Sequence, residues 1–256
     1  MQNREKYRFD DFTFENYTKL LNLAKTNGFT FINFDEAFDN KNRNLLWRHD
    51  VEFSPFVALK MAEAEKELQI KATYFFQLHC DFYNLLEKEI FDIAVKIKLM
   101  GHEIGLHFDA HFFGIDNEDK LDNAIKIELE YLNNLYDFNI KAFSFHNTNK
   151  FILSCEKEKY GGLINVYSKY FKDNFYYCSD STGWWRFRRV EDVLKDDCIK
   201  NAHILTHEAM WSNEVLSPYK RIVKVLNDET ERIKNNYIKS ENAFGAIVVD
   251  DDRLII

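Results

Sequence analysis

The sequence predicts an α/β fold, a parallel sheet or barrel, on three observations. Short apolar runs with two-residue periodicity alternate with stretches of 3.6-residue periodicity, the mark of repeated βαβ units. Acids, histidines and amides recur at the C-terminal ends of those runs, where a parallel sheet gathers them. The length, 256 residues, suits one α/β barrel.

The elements follow in order. Residues 1–40 read as an N-terminal helical cap, with a helix over 14–25. Strands are expected at 45–48, 72–78, 103–107, 142–145, 176–179 and 202–206. A helix over 56–68 carries Leu59, Ala62 and Leu68 on one face. A second, over 85–100, carries Ile90, Ile93, Ala94 and Ile97. A third, over 120–136, carries Leu121, Ala124, Ile125, Leu129 and Leu132. Residues 157–162 are the most loop-like stretch. The core, 45–211, is followed over 212–256 by a helix at 219–239 and a last strand at 244–249, all within a single domain, 1–256.

Composition excludes several classes of function. Apolar residues make up 46% of the chain, enough for a sizeable core. The net charge is −8 and no basic run occurs, which argues against nucleic acid as a partner. No apolar run reaches the roughly 18 residues that span a bilayer. The polar N-terminus lacks the apolar stretch of a secretory signal. Cys80, Cys155, Cys178 and Cys198 form no CxxC pair and read as free thiols in a reducing, cytoplasmic setting. The aromatic share, 16% with 24 Phe, suits either a Phe-rich core or a ring-lined pocket.

The strand ends carry the chemistry. They read His49-Asp50-Val51-Glu52, then 101–111 with His107 and His111, then His146-Asn147, Ser179-Asp180-Ser181 and Thr206-His207-Glu208. Polar groups ending apolar strands are costly unless they share partners, and one common site is the economical explanation. In a turn or helix, the i, i+4 spacing of His107 and His111 would set both imidazoles on one side, able to share a metal. Glu52 would complete a two-His, one-carboxylate face. Asp50 lies two residues earlier on an extended strand, on the same side, free to take a proton from a bound water. A protonated His207 could donate to a leaving nitrogen.

These residues resemble the polysaccharide deacetylase family, the NodB-homology carbohydrate esterases. Asp50-Val51-Glu52 is similar to the family's strand-end acid pair. Residues 101–105, followed by His107-Phe108-Asp109-Ala110-His111, resemble its His-(Ser/Thr)-x-x-His motif in a Gly-His-Glu-Ile-Gly context. Leu205-Thr206-His207 is similar to its Leu-x-His motif. The block at 48–54 with 58–62 resembles a WbmS-like branch found with bacterial surface-glycan genes. The resemblance covers about residues 45–211.

The resemblance implies a distorted (β/α)7 barrel. It implies Asp50 as general base, His207 as general acid, and Glu52, His107 and His111 as ligands of a divalent metal. Zn2+ suits two His and a carboxylate, with Co2+, Mn2+, Fe2+ or Ni2+ also able to fill such a site. Asp180 would orient a catalytic group. His146 and Asn147 stand where the family has an Arg-x-Pro-Tyr motif and would face substrate. Arg48, Arg186 and His146 are the groups able to replace the missing arginine. Trp184 and Trp211 would wall the acyl pocket, with Phe108 and Trp185 close by. The expected activity removes an acetyl or formyl group from an amino sugar or a nucleotide- or lipid-linked precursor. The alternatives are a catalytically silent glycan-binding protein on the same fold, or a metal-dependent hydrolase of a non-sugar C–N bond.

Overall fold

The computed structural model describes residues 2–38, 43–250 and 253–255. Nine strands form its main sheet: β1 (Thr30–Ile32), β2 (Asn44–Val51), β3 (Thr73–Phe76), β4 (Glu103–Phe108), β5 (Ala142–Phe145), β6 (Lys159–Tyr160), β7 (Leu163–Asn165), β8 (Tyr176–Ser179) and β9 (Asn201–His207). Their order is β6-β7-β5-β4-β3-β2-β9-β8, with β1 beside β2. Every pairing is parallel except β6 with β7. The sheet curls into an open, distorted (β/α) barrel, as parallel strands joined by crossover helices do.

β2 lies at the centre and is buried along its whole length. Leu45, Trp47 and Val51 face the larger core, beneath the surrounding helices. Leu46 faces the barrel interior with Phe34, Phe75 and Phe171. The two-residue alternation therefore puts Arg48, Asp50 and Glu52 on the interior side of the strand. Neighbouring β4 meets β3 closely. A Cβ added at Gly105 would lie 2.4 Å from the Phe75 ring, so this position has room only for hydrogen.

Several helices begin on side-chain caps. The Thr13, Asn117 and Ser217 side chains accept from the amides of Asn16, Lys120 and Lys220. Both prolines of the chain, Pro55 and Pro218, sit in the first turn of a helix, where a missing N–H leaves no bond unmade. The helices Pro55–Glu67, Lys88–Leu99 and Glu118–Leu135 bury the apolar stripes read from the sequence.

Three parts differ from the expectation. The N-terminal segment is more than a helical cap: beyond its helix Phe14–Thr26 it adds β1 to the sheet. The stretch 157–162 contains β6 and the turn into β7, made at Gly161 and Gly162 with φ of 58° and 88°. The last strand begins only at Val248 and pairs antiparallel with Arg253–Ile255 in a separate two-stranded sheet. Runs this short carry too little periodicity to identify from sequence. Among the described residues, no helix is long and apolar enough to cross a membrane.

Candidate metal centre

The site forms where β2, β4, β5, β8 and β9 end. Glu52 Oε1 lies 3.1 Å from His107 Nε2 and 2.9 Å from His146 Nδ1, and the two ring nitrogens are 3.3 Å apart. Among the described residues these three form the one group of acids, histidines or cysteines able to hold a metal ion. The far ring nitrogens are held as well. His107 Nδ1 is 2.7 Å from Ser144 Oγ, and His146 Nε2 is 2.8 Å from the Asn147 amide. That outer support fixes ring orientation, as it does around metal-binding histidines generally. Two imidazoles and a carboxylate meeting at one point fit a divalent transition metal. Burial works against charge on Glu52, yet the hydrogen bonds with His107 and His146 outweigh it and hold its carboxyl well below the usual range.

His111 stands outside this group. β4 ends at Phe108 and the chain turns over residues 110–114, so no helix places residues 107 and 111 on one side. His111 is exposed, and its Nε2 donates to the Asn147 carbonyl at 2.7 Å. The second imidazole of the group belongs instead to His146. That residue follows β5, and its amide donates to the Phe108 carbonyl at 2.9 Å, extending the parallel pairing to the strand ends.

Asp50 is buried beside the group. Its Oδ1 accepts from Ser144 Oγ at 3.2 Å, and its Oδ2 accepts from Arg48 Nη2 at 3.2 Å. Arg48 also donates to Tyr167 Oη at 3.0 Å. Burial works against the Arg48 charge, but Asp50 and the nearby tyrosine oxygens outweigh it and raise its pKa further. Ser144 therefore touches both the candidate base and a candidate ligand, and it ties their positions together.

His207 closes the far side. Its Nδ1 lies 2.6 Å from Asp180 Oδ1, and its backbone amide donates to the same carboxylate. Trp211 Nε1 donates to Asp180 Oδ2 at 3.1 Å. Burial works to discharge His207, but Asp180 above all, with Glu52 and Asp50, raises its pKa to about 10. Next in the chain, the buried Glu208 accepts from the amides of Glu52, Phe53 and Ser54 at 3.1, 2.6 and 2.7 Å. It thereby clamps the end of β2 to the end of β9.

A cavity of about 470 Å³ opens over these groups, lined by Asp50, Glu52, His107, Asn147 and His207. Its rings are Phe145, Tyr167, Tyr177 and Phe187. The four rings expected near the chemistry are elsewhere. Trp184 packs edge-on against Tyr7, Trp185 stacks on Phe12, and Phe108 stacks on Phe113. Trp211 is buried between Phe12 and Tyr17, so it supports Asp180 and lines no acyl pocket. Arg186 lines the cavity mouth, and Arg48 alone of the three candidate replacements bonds to Asp50 as a cation. Sequence reasoning missed Ser144, and it named Glu208 only as a strand-end acid, without its role as a clamp. The Arg48-x-Asp50-x-Glu52 alternation puts three charged groups on one strand face, but no local spacing points to Ser144.

No family model matches the chain, and no curated protein matches it. Solved structures with some likeness include a family 4 carbohydrate esterase from Bacillus anthracis, 20% identical over 84% of this chain and 86% of that one, with a TM-score of 0.44. Another is the chitin deacetylase from the fungal pathogen Colletotrichum lindemuthianum, 14% identical over 74% of this chain and 84% of that one, with a TM-score of 0.45. A third is a CE4 family pseudoenzyme from Bacillus anthracis, 14% identical over 73% of this chain and 62% of that one, with a TM-score of 0.41. At such identity and overlap, the chemistry of this chain rests on its own side chains.

Proposed function

We propose that this chain is a metal-dependent hydrolase that removes an N-acyl group, acetyl or formyl, from an amino sugar or sugar precursor. One observation carries the proposal: Glu52 and His107, which meet His146, line the same cavity as a held carboxylate, Asp50, and a carboxylate-paired imidazole, His207. A divalent ion bound by Glu52, His107 and His146 would supply a Lewis acid and a water of lowered pKa. Zn2+ suits these donors best, and Co2+, Mn2+, Fe2+ and Ni2+ share the preference for imidazole and carboxylate.

The chain's own groups divide the remaining work. Asp50, pinned through both oxygens by Arg48 and Ser144, accepts the proton of the attacking water. His207, kept cationic by Asp180, donates a proton to the leaving sugar nitrogen. The products are a free amine and a carboxylate. The cavity rings Tyr167 and Tyr177 offer flat surfaces beside the reacting group. The four free thiols support a reducing, cytoplasmic setting, and a role in surface-glycan biosynthesis fits the motif resemblance.

The test pairs metal content with acetate release from a panel of acetamido sugars. The wild type is expected to bind one equivalent of metal and to release acetate. His107→Ala is expected to lose both, and His146→Ala to bind metal at least about 10–100-fold more weakly. His111→Ala should retain its metal. A wild type that holds no stoichiometric metal under metal-replete conditions would overturn the proposal, as would loss of metal in His111→Ala with retention in His146→Ala.

A further inference from the structure

The last helix, Pro218–Ala243, meets the rest of the molecule along one face. Arg221 and Val225 are buried there, Arg232 reaches Glu87 and Glu89, and the Asn236 amide donates to Glu89. A second face is apolar and open. Tyr219, Leu226, Ile233, Tyr237 and the cap residue Phe244 are all exposed, from 37% at Leu226 to 87% at Phe244, with exposed Thr230 among them. At about 100° per residue these six positions fall into one stripe, roughly a third of a turn from the buried face. The two-stranded sheet that follows the helix leaves the stripe uncovered. A contiguous exposed apolar stripe marks an interaction surface.

The spacing of the stripe points to its occupant. From Tyr219 to Phe244 the successive intervals are 7, 4, 3, 4 and 7 residues, the same in both directions. An antiparallel copy therefore sets Tyr219 opposite Phe244, Leu226 opposite Tyr237 and Thr230 opposite Ile233, about a two-fold axis between Glu231 and Arg232. Charge agrees with this arrangement. Lys224, Arg232 and Lys234 are paired with acids of their own chain. Among the described residues, Lys220 and Glu241 have no ion-pair partner. They lie on the same flank of the stripe, near its opposite ends. The two-fold axis sets that flank against itself, so Lys220 of each copy meets Glu241 of the other. A parallel copy would set Lys220 against Lys220 and Glu241 against Glu241. A lipid surface fits less well. This helix mixes six basic with four acidic side chains, whereas helices that lie on membranes carry a basic polar face. We propose that this helix pairs antiparallel with the same helix of a second copy, making the protein a two-fold symmetric dimer.

The experiment is sedimentation equilibrium on the full chain. The wild type should show twice the chain mass at about 10 μM. Ile233→Glu puts an unpaired charge beside the two-fold axis in both copies and should raise the dissociation constant at least about 100-fold. Tyr237→Glu should do the same, and far-UV circular dichroism reads whether each variant keeps its helices. Lys220→Glu should weaken the dimer about tenfold, and adding Glu241→Lys should restore it. The charge exchange, made at the surface, decides the matter where a stripe variant fails to fold. A wild type that stays monomeric at about 100 μM would overturn the proposal. So would a dimer that survives both stripe variants with their helices intact, or one that the double charge exchange does not restore. Vesicles of phosphatidylcholine with phosphatidylserine test the other surface. Wild-type binding to them that is lost in Ile233→Glu, without dimer in solution, would assign the stripe to lipid and overturn the pairing.

Discussion

Asp180 decides the protonation of His207. An isolated buried imidazole loses its proton, yet the carboxylate 2.6 Å away reverses the balance. Because the folded pKa is raised, the paired cation stabilises the fold fully below the ordinary histidine value of about 6.5. That contribution is lost as pH rises through about 10. In metal-free protein, the His207 ring resonances should report a cation through neutral pH and titrate near the top of that window. Asp180→Asn should move the midpoint down by about one unit or more. An unmoved midpoint would show that Asp180 does not hold the charge. A divalent cation held by Glu52, His107 and His146 would lower the midpoint further. Arg48 acts on the other proton carrier. Arg48→Lys keeps the positive charge but loses the planar fork that reaches Asp50 and Tyr167 together. Catalytic turnover should fall by about 100-fold while metal affinity holds, since Arg48 bonds to none of the three candidate ligands. An equal fall in metal affinity would reduce Arg48 to a structural role.

The strand ends bring these groups together, and they also explain which parts the sequence made legible. Long periodic segments and the acids of β2 were readable, because alternation on a strand fixes which side chains share a face. His107 and His207 were readable for the same reason. His146 was not: its place beside Glu52 and His107 depends on the register of β5 against β4, and no local spacing encodes that. His111 misled because an i, i+4 pair shares a side only in a helix or turn of the right geometry, and here a strand ends between the two residues. β1, β6 and β7 have two or three residues each and depend on pairing for their identity. The β3–β4 contact gives a direct test at this scale. Gly105→Ala drives a methyl into the Phe75 ring on the barrel interior. It should destabilise the protein by about 1–3 kcal/mol in denaturant unfolding, and Phe75→Leu in the same chain should recover part of that loss. A Gly105→Ala protein as stable as wild type would mean that the two strands separate freely.

Across the whole molecule, β2 divides chemistry from support. Its interior face carries Arg48, Asp50 and Glu52, while its outer face carries His49 into a closed polar network under the helices. Glu65, fully buried on the helix Pro55–Glu67, is the hub of that network. It takes hydrogen bonds from the hydroxyls of Tyr17 and Tyr74, the latter at 2.6 Å, and lies 2.7 Å from His49 Nε2. His102 Nδ1 lies 3.5 Å away. Trp47 Nε1 donates to the Tyr17 hydroxyl at 3.0 Å, and His49 Nδ1 meets Thr206 Oγ1 at 2.6 Å. The helix Phe14–Thr26, β2, β3 and the helix Pro55–Glu67 thus converge on one carboxylate, and β9 is joined to it through His49. Burial works against its charge, but His49 foremost, then His102 and Tyr17, outweigh it and lower the Glu65 pKa. A lowered carboxyl pKa gives stability that is present above the unfolded value, about 4.3, and is lost as pH falls through the folded value. Glu65→Ala leaves the buried Tyr17, Tyr74 and His49 without their carboxylate partner. It should cost about 3–5 kcal/mol at neutral pH, a fall in Tm of roughly 10 °C. Glu65→Gln keeps an acceptor and should cost less. Because the site groups lie on the opposite face of β2, the Glu65→Gln protein should still bind metal at the centre. The gap between wild type and Glu65→Gln should narrow as pH falls through the acid range, where the wild-type carboxyl takes up its own proton. A gap that stays constant with pH would mean that the carboxylate charge plays no part in joining these four elements.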